Sequence, residues 1–184
     1  MKKIVLTFGL ISGGILAAMM AATLPFHDRI GFDNGEIIGY TTLVAAFLFV
    51  FFGIRSYRET VGNGYITFGR AFKVGILITV ISSLCYVISW QIIYFNFLPD
   101  FGDKYMQHVI EKSRAAGASP EQLAGEIAQM ERFKVLFQNP FYNFLITFFV
   151  EPFPIGLIIT LISSFILRKR PKEVPQESEL VTNP

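Results

Sequence analysis

Four long apolar blocks constrain this chain more than anything else in it. They occupy residues 4–24, 37–54, 71–98 and 141–167, with polar stretches between them. The hydrocarbon core of a bilayer is roughly 30 Å thick, and about 20 apolar residues in an α-helix cross it. Inside hydrocarbon each backbone N–H and C=O has to be satisfied within its own segment, so a single block of this kind can only be a helix. The apolar residues also come as solid blocks, without the 3.6-residue striping of a helix that has one wet face. The expected fold class is therefore an all-α membrane protein with four transmembrane helices, and residues 1–170 are read as one membrane domain. Charge agrees with this: 16% of the residues are charged, against about a quarter in soluble domains.

Lys2 and Lys3 ahead of the first block resemble the start of a secretory signal. The apolar run is longer than the ~7–15 residues of a signal's core, however, and no Ala-x-Ala site follows it, so it is read as the first span. Gly9 and Gly13 stand four apart in it, and Ala17 and Ala21 continue the spacing. Small residues in this pattern let a second helix approach closely. Residues 25–36 form a short polar loop, and Gly62, Asn63 and Gly64 mark a tight turn before the third span. That span ends in Trp90, Tyr94, Phe95 and Phe97, a composition suited to the membrane interface.

Residues 99–139 are the one sizeable polar stretch, and their pattern predicts an amphipathic helical hairpin. Phe101, Tyr105, Val109 and Lys112 follow helical spacing, and Gly117 stops the first arm. Ser119, Pro120 and Glu121 then read as N-cap, first-turn proline and dipole-favoured acid. Leu123, Ile127, Met130 and Phe137 lie on the apolar face of the second arm, which either caps the bundle or rests on lipid. Asn139 and Pro140 repeat the cap-then-proline signal before the fourth span. Residues 171–184 are too polar to pack and are expected to form a disordered cytoplasmic tail.

Basic residues orient the four spans. Lys2, Lys3, Arg55, Arg58, Arg70, Lys73, Arg168, Lys169, Arg170 and Lys172 gather on the side of both termini. Arg29, Lys104, Lys112, Arg114, Arg132 and Lys134 are spread more thinly on the other side, among more numerous acids. The positive-inside rule then places both termini in the cytoplasm of a bacterial inner membrane and turns the 99–139 hairpin outward. The basic balance thus reflects orientation, and nucleic acid is not an expected partner.

Candidate chemistry centres on the fourth block. Glu151 is an acid within an apolar run, which is costly there and so by default functional or tightly paired. Pro152 and Pro154 lack N–H groups, so a helix broken beside Glu151 leaves free carbonyls next to a carboxylate. Transporters use such a geometry for sodium or protons. Ser82, Ser83 and Tyr86 on the third span are its candidate neighbours. The alternative is a protonated acid that locks a kink. Residues 72–83 also align without gaps against residues 153–164, with seven of twelve positions identical. Each copy carries a small-residue ladder, Gly75, Thr79, Ser83 and Gly156, Thr160, Ser164, which leads us to expect the third and fourth helices to pack together.

The single cysteine, Cys85, allows no intrachain disulfide or thiolate metal cluster. His27 and His108 read as solvated loop histidines, so no metal and no cofactor are expected. No nucleotide-binding or hydrolase motif is present.

Residues 57–58, 64–75, 99–101, 139–140, 151–158 and 162–164 resemble the bacterial membrane family called domain of unknown function 4199. The strongest blocks are Gly64 to Gly75 and the run that starts at Glu151 and Pro152. The resemblance implies a small four-span inner-membrane protein and brings no catalytic residues with it. In the family pattern a bulky aliphatic residue commonly follows the glutamate, where this chain has Pro152. Two functional classes stay open: a non-enzymatic scaffold, assembly or accessory component, and an oligomeric proton- or cation-coupled transporter or channel subunit built on Glu151. Membrane lipids, further copies of the chain or other membrane proteins are the expected partners.

Overall fold

Residues 1–169 are described by the computed structural model, and almost all of them are helical. The reading of residues 171–184 as a disordered tail lies outside the described residues. Helix α1 (Lys2–Thr23) passes through one 3-10 turn into α2 (His27–Thr60), and α3 spans Phe68–Phe97. Two shorter helices follow, α4 (Phe101–Ala115) and α5 (Pro120–Phe137), and then α6 (Pro140–Val150) and α7 (Pro152–Leu167). Three stretches are long and apolar enough to cross a membrane: Lys2–Thr60, Phe68–Phe97 and Pro140–Leu167. The first of them doubles back, because Ser12 Oγ in α1 donates to the carbonyl of Ala46 in α2 at 2.9 Å.

The polar loop expected over residues 25–36 is helical instead. Pro25 sits at the start of the 3-10 turn, Asp28 falls in the first turn of α2, and Asn34 Nδ2 donates to the carbonyl of Ile30 at 3.0 Å. Proline and an acid both favour a helix start, which carries the helix back into the polar segment. Gly31, at φ +70° and ψ +170°, marks a kink within α2, a conformation that glycine adopts without the penalty a Cβ would bring.

Polarity is arranged inside out. Leu10, Leu48, Ile88, Phe149, Val150 and Ile166 are exposed, while Ser12, Thr79, Ser82, Ser83, Asn143, Thr147, Thr160, Ser163 and Ser164 are buried. An apolar outer surface of this extent suits lipid better than water, and small hydroxyl residues are the usual packing material between membrane helices. The fold is compatible with a multi-pass membrane protein. Its apolar core joins Leu16, Phe47, Val50, Ile54, Val74 and Ile78 from α1, α2 and α3.

Close approach of helices needs glycine at a few points. A Cβ on Gly9 would lie 2.8 Å from Ile81 Cγ2, and one on Gly13 would lie 2.8 Å from Cys85 Sγ. Those two glycines therefore seat α1 against α3. At the end holding the turn before α3, Asn63 (φ 49°) and Gly64 (φ 83°) turn the chain. Ile66 and Lys169 exchange backbone hydrogen bonds of 2.9 Å there, tying this turn to the end of α7.

Helices α4 and α5 lie at the opposite end. Ser119 and Gln122 form a reciprocal capping box at the start of α5, and Gly117 (φ 86°) ends the preceding arm. Phe101 packs on Trp90 and Phe137 on Tyr94, with ring centroids 5.1 and 5.3 Å apart. Lys112 reaches Asp33 at 2.7 Å and Lys104 reaches Asp28 at 3.2 Å, while Lys134 pairs with Asp103 between the two arms. The hairpin is thus pinned to the ends of α2 and α3.

Candidate functional site

The apolar stretch Pro140–Leu167 is interrupted at Glu151, whose φ and ψ of −108° and −79° separate α6 from α7. The cause is covalent. Pro152 has no N–H for the carbonyl of Phe148, and Pro154 has none for that of Val150, so both carbonyls lose their i+4 donors. Helix α6 still closes on the acid itself, since the Glu151 amide donates to Thr147 at 3.3 Å. Pro152 is fully buried, which fixes the break within the bundle and keeps it off the surface.

Helix α3 runs antiparallel beside α6 and α7. Thr79 Oγ1 lies 2.9 Å from Thr160 Oγ1 and donates at 3.3 Å to the carbonyl of Gly156. Ser164 Oγ donates to the carbonyl of Thr160 at 2.6 Å. A Cβ on Gly75 would come within 2.7 Å of Thr160 Cγ2, so glycine is what lets the helices meet. At the other end Gln91 Nε2 donates to the carbonyl of Pro140 at 2.6 Å. This register brings Tyr86 opposite the break, and its phenol donates to Glu151 Oε2 at 2.6 Å.

The remaining sequence candidates divide. Ser83 is buried on the same face of α3, and its hydroxyl has no partner among the described residues. Ser82 belongs elsewhere: its hydroxyl engages the carbonyls of Gly9 at 3.2 Å and Ile78 at 3.0 Å, on the α1 side. Three residues not singled out from the sequence as site residues join the seam. Asn143 and Thr147 precede Glu151 at intervals of four on α6, and both are buried. Trp90 follows Tyr86 by one turn of α3. Asn143 Nδ2 donates to the carbonyl of Phe137 at 3.1 Å. Asn143 Oδ1, Thr147 Oγ1 and Trp90 Nε1 are buried without a partner among the described residues. A polar residue every fourth position in an otherwise apolar helix is the sequence signal that finds the first two.

The energetics of this seam are unusual. A buried donor or acceptor left unmet costs ~1–3 kcal/mol. Glu36 and Tyr40 on α2 lie close enough to Glu151 to interact with it electrostatically. Chemically the seam offers one carboxylate, one phenol donor on it, two carbonyls freed by proline, and a row of unengaged polar atoms.

A second polar cluster lies where the hairpin meets α2. His27, Asp28, Phe32, Asp33, Lys104 and His108 line a cleft of about 330 Å³. Phe32 lies between His27, which it meets edge to face, and His108, which it meets at a tilt, with centroids 5.6 and 5.1 Å away. The Lys112 ammonium, by direct hydrogen bond, holds the Asp33 carboxyl below the usual carboxylate range, and Lys104 does the same for Asp100. Among the described residues no group of three metal-ligating side chains converges, here or elsewhere.

The family model described as "Protein of unknown function (DUF4199)" matches residues 7–169. No curated protein and no solved structure matches the chain.

Proposed function

The chain belongs to the family Protein of unknown function (DUF4199), and on its own geometry we propose that it is a four-span inner-membrane protein that binds and releases a proton at Glu151. Both termini face the cytoplasm in this reading, and the α4–α5 hairpin caps the outer end. No covalent catalysis is involved. The observation that carries the reading is the hydrogen bond from Tyr86 to Glu151 at the break between α6 and α7. A carboxylate is not needed to fill space in such a helix, and its burial is expensive unless the charge or the proton is used. A bundle of four helices is too narrow to enclose a transport path, so the working unit is a homo-oligomer or a complex with another membrane protein.

The test is an infrared titration of the protein reconstituted in liposomes, with proton flux measured in parallel. A carboxyl band that responds to pH and disappears in Glu151→Gln supports the reading. With no such band and no flux in either protein, but assembly intact, the chain is instead a scaffold or accessory component, and Glu151 locks a kink.

A further inference from the structure

We infer that the seam between α3 and α6 holds a file of water molecules running from the hairpin end of the bundle to Glu151. The inference builds on the proton-binding reading and names the route by which the acid is reached. Its basis is four buried atoms without a partner among the described residues: Ser83 Oγ, Trp90 Nε1, Asn143 Oδ1 and Thr147 Oγ1. Ser83, Asn143 and Thr147 are at most 3% exposed. The mixture of chemistries selects the ligand. An indole N–H only donates and an amide oxygen only accepts, while the two hydroxyls do either. A bare cation repels the indole N–H, and an anion repels the amide oxygen. Water donates and accepts, and so meets all four groups while linking them into a hydrogen-bonded chain.

Direction follows from packing. Beyond Glu151, toward the end of α7, Thr79 and Thr160 are in hydrogen-bond contact, and Gly75 leaves no room for a Cβ. That half of the interface is closed. From Ser83, which lies one turn before Tyr86 on α3, and from Glu151, the unengaged atoms of Thr147, Asn143 and Trp90 lead the other way, toward the first turn of α6, where Trp90 meets Phe101 of the hairpin. Water therefore enters from the hairpin end, and the acid communicates with that side.

Single cysteines introduced into a Cys85→Ala background test this, in vesicles of defined orientation and with a membrane-impermeant methanethiosulfonate. Only the thiolate reacts, and a thiolate needs water, so Thr147→Cys should react from the hairpin side at least about tenfold faster than Phe149→Cys. The control is stringent, because Phe149 is 57% exposed on the apolar surface while Thr147 is 3% exposed. Asn143→Cys, one turn nearer the hairpin on the same face of α6, gives the same reading should Thr147→Cys fail to fold. Equal rates at the seam and at Phe149→Cys, or reaction from the opposite side alone, overturn the inference. The infrared titration scores Glu151 separately. A titrating carboxyl beside an unreactive seam removes the water file and leaves the proton site, and a reactive seam beside a silent carboxyl does the reverse.

Discussion

Tyr86 and Glu151 meet at 2.6 Å, phenol to carboxylate, across two helices that the chain brings together from 65 positions apart. Tyr86→Phe keeps the ring and removes only the donor. The carboxylate then loses a charge-assisted hydrogen bond in a buried setting, a change that costs about 1–3 kcal/mol. The expected outcome is lower stability to denaturant in micelles and a displaced Glu151 carboxyl band. An unchanged band would show that the phenol is a bystander.

Glycine positions separate packing from propensity. In an exposed helix interior, Gly→Ala gains up to about 1 kcal/mol. Gly14→Ala should follow that rule, since a Cβ there meets nothing within 4 Å. Gly75→Ala should break it, because its Cβ would press on Thr160 Cγ2 at 2.7 Å and Ile54 Cδ1 at 2.9 Å. Overpacking of this kind costs about 1–3 kcal/mol. Unfolding of the two variants side by side checks the sign, and matched gains in both would remove the tight α3–α7 contact.

How the hairpin docks should depend on pH in a defined way. Hydrogen bonding to Lys112 lowers the Asp33 pKa and raises that of Lys112, and Asp100 and Lys104 behave alike. A depressed carboxyl stabilises the docked form fully above its unfolded value, and that contribution is lost as pH falls through the lowered folded value. A raised ammonium stabilises it fully below its own unfolded value, and that contribution is lost as pH rises through the raised one. The Lys112–Asp33 pair, which bridges α4 and α2, therefore leaves docking level between about pH 4 and pH 10 and weakens it outside that window, whereas Asp100 and Lys104 pair within the hairpin. His108 Nε2 lies 3.4 Å from the same Asp33 carboxylate. Amide exchange in α4 across pH reads the plateau, and high salt should shrink it because all these groups are exposed. In Lys112→Ala the Asp33 carboxyl should titrate closer to its ordinary value.

Helical class was the most legible property, because long apolar blocks permit little else in a bilayer. The turn before α3 was legible for a local reason: Asn63 and Gly64 tolerate positive φ wherever they occur. The helical start at residues 24–36 was not. There the polar side chains pointed to a loop, while Pro25 and Asp28 favour a helix start. At the site, Glu151, Pro152 and Tyr86 stand out by chemistry, since acids, prolines and phenols are rare in apolar runs. Ser82 and Ser83 look interchangeable in the sequence, and only the direction of each around α3 sends one to Gly9 and leaves the other in the seam. Asn143 and Thr147 were hidden differently. Each alone passes for an ordinary polar residue of a membrane helix, and they gain meaning as a row only once α6 is known to face Trp90 and Tyr86.

The prolines beside Glu151 yield the last prediction. Pro152 is fully buried, so Pro152→Ala changes the packing and the backbone together. Pro154 is only partly buried, and Pro154→Ala is the cleaner change. It returns an N–H to position 154 in the first turn of α7, which can bond the carbonyl of Val150 and relieve part of the helix interruption. If the break exists for the sake of Glu151, Pro154→Ala should unfold later than the parent, show a newly protected amide at position 154, and bind protons less readily at Glu151. Stability gained with the carboxyl titration unchanged would mean that the interruption does not serve the acid. Stability lost would mean that α7 needs the proline ring for its packing. The first pattern alone ties the helix break to the proton.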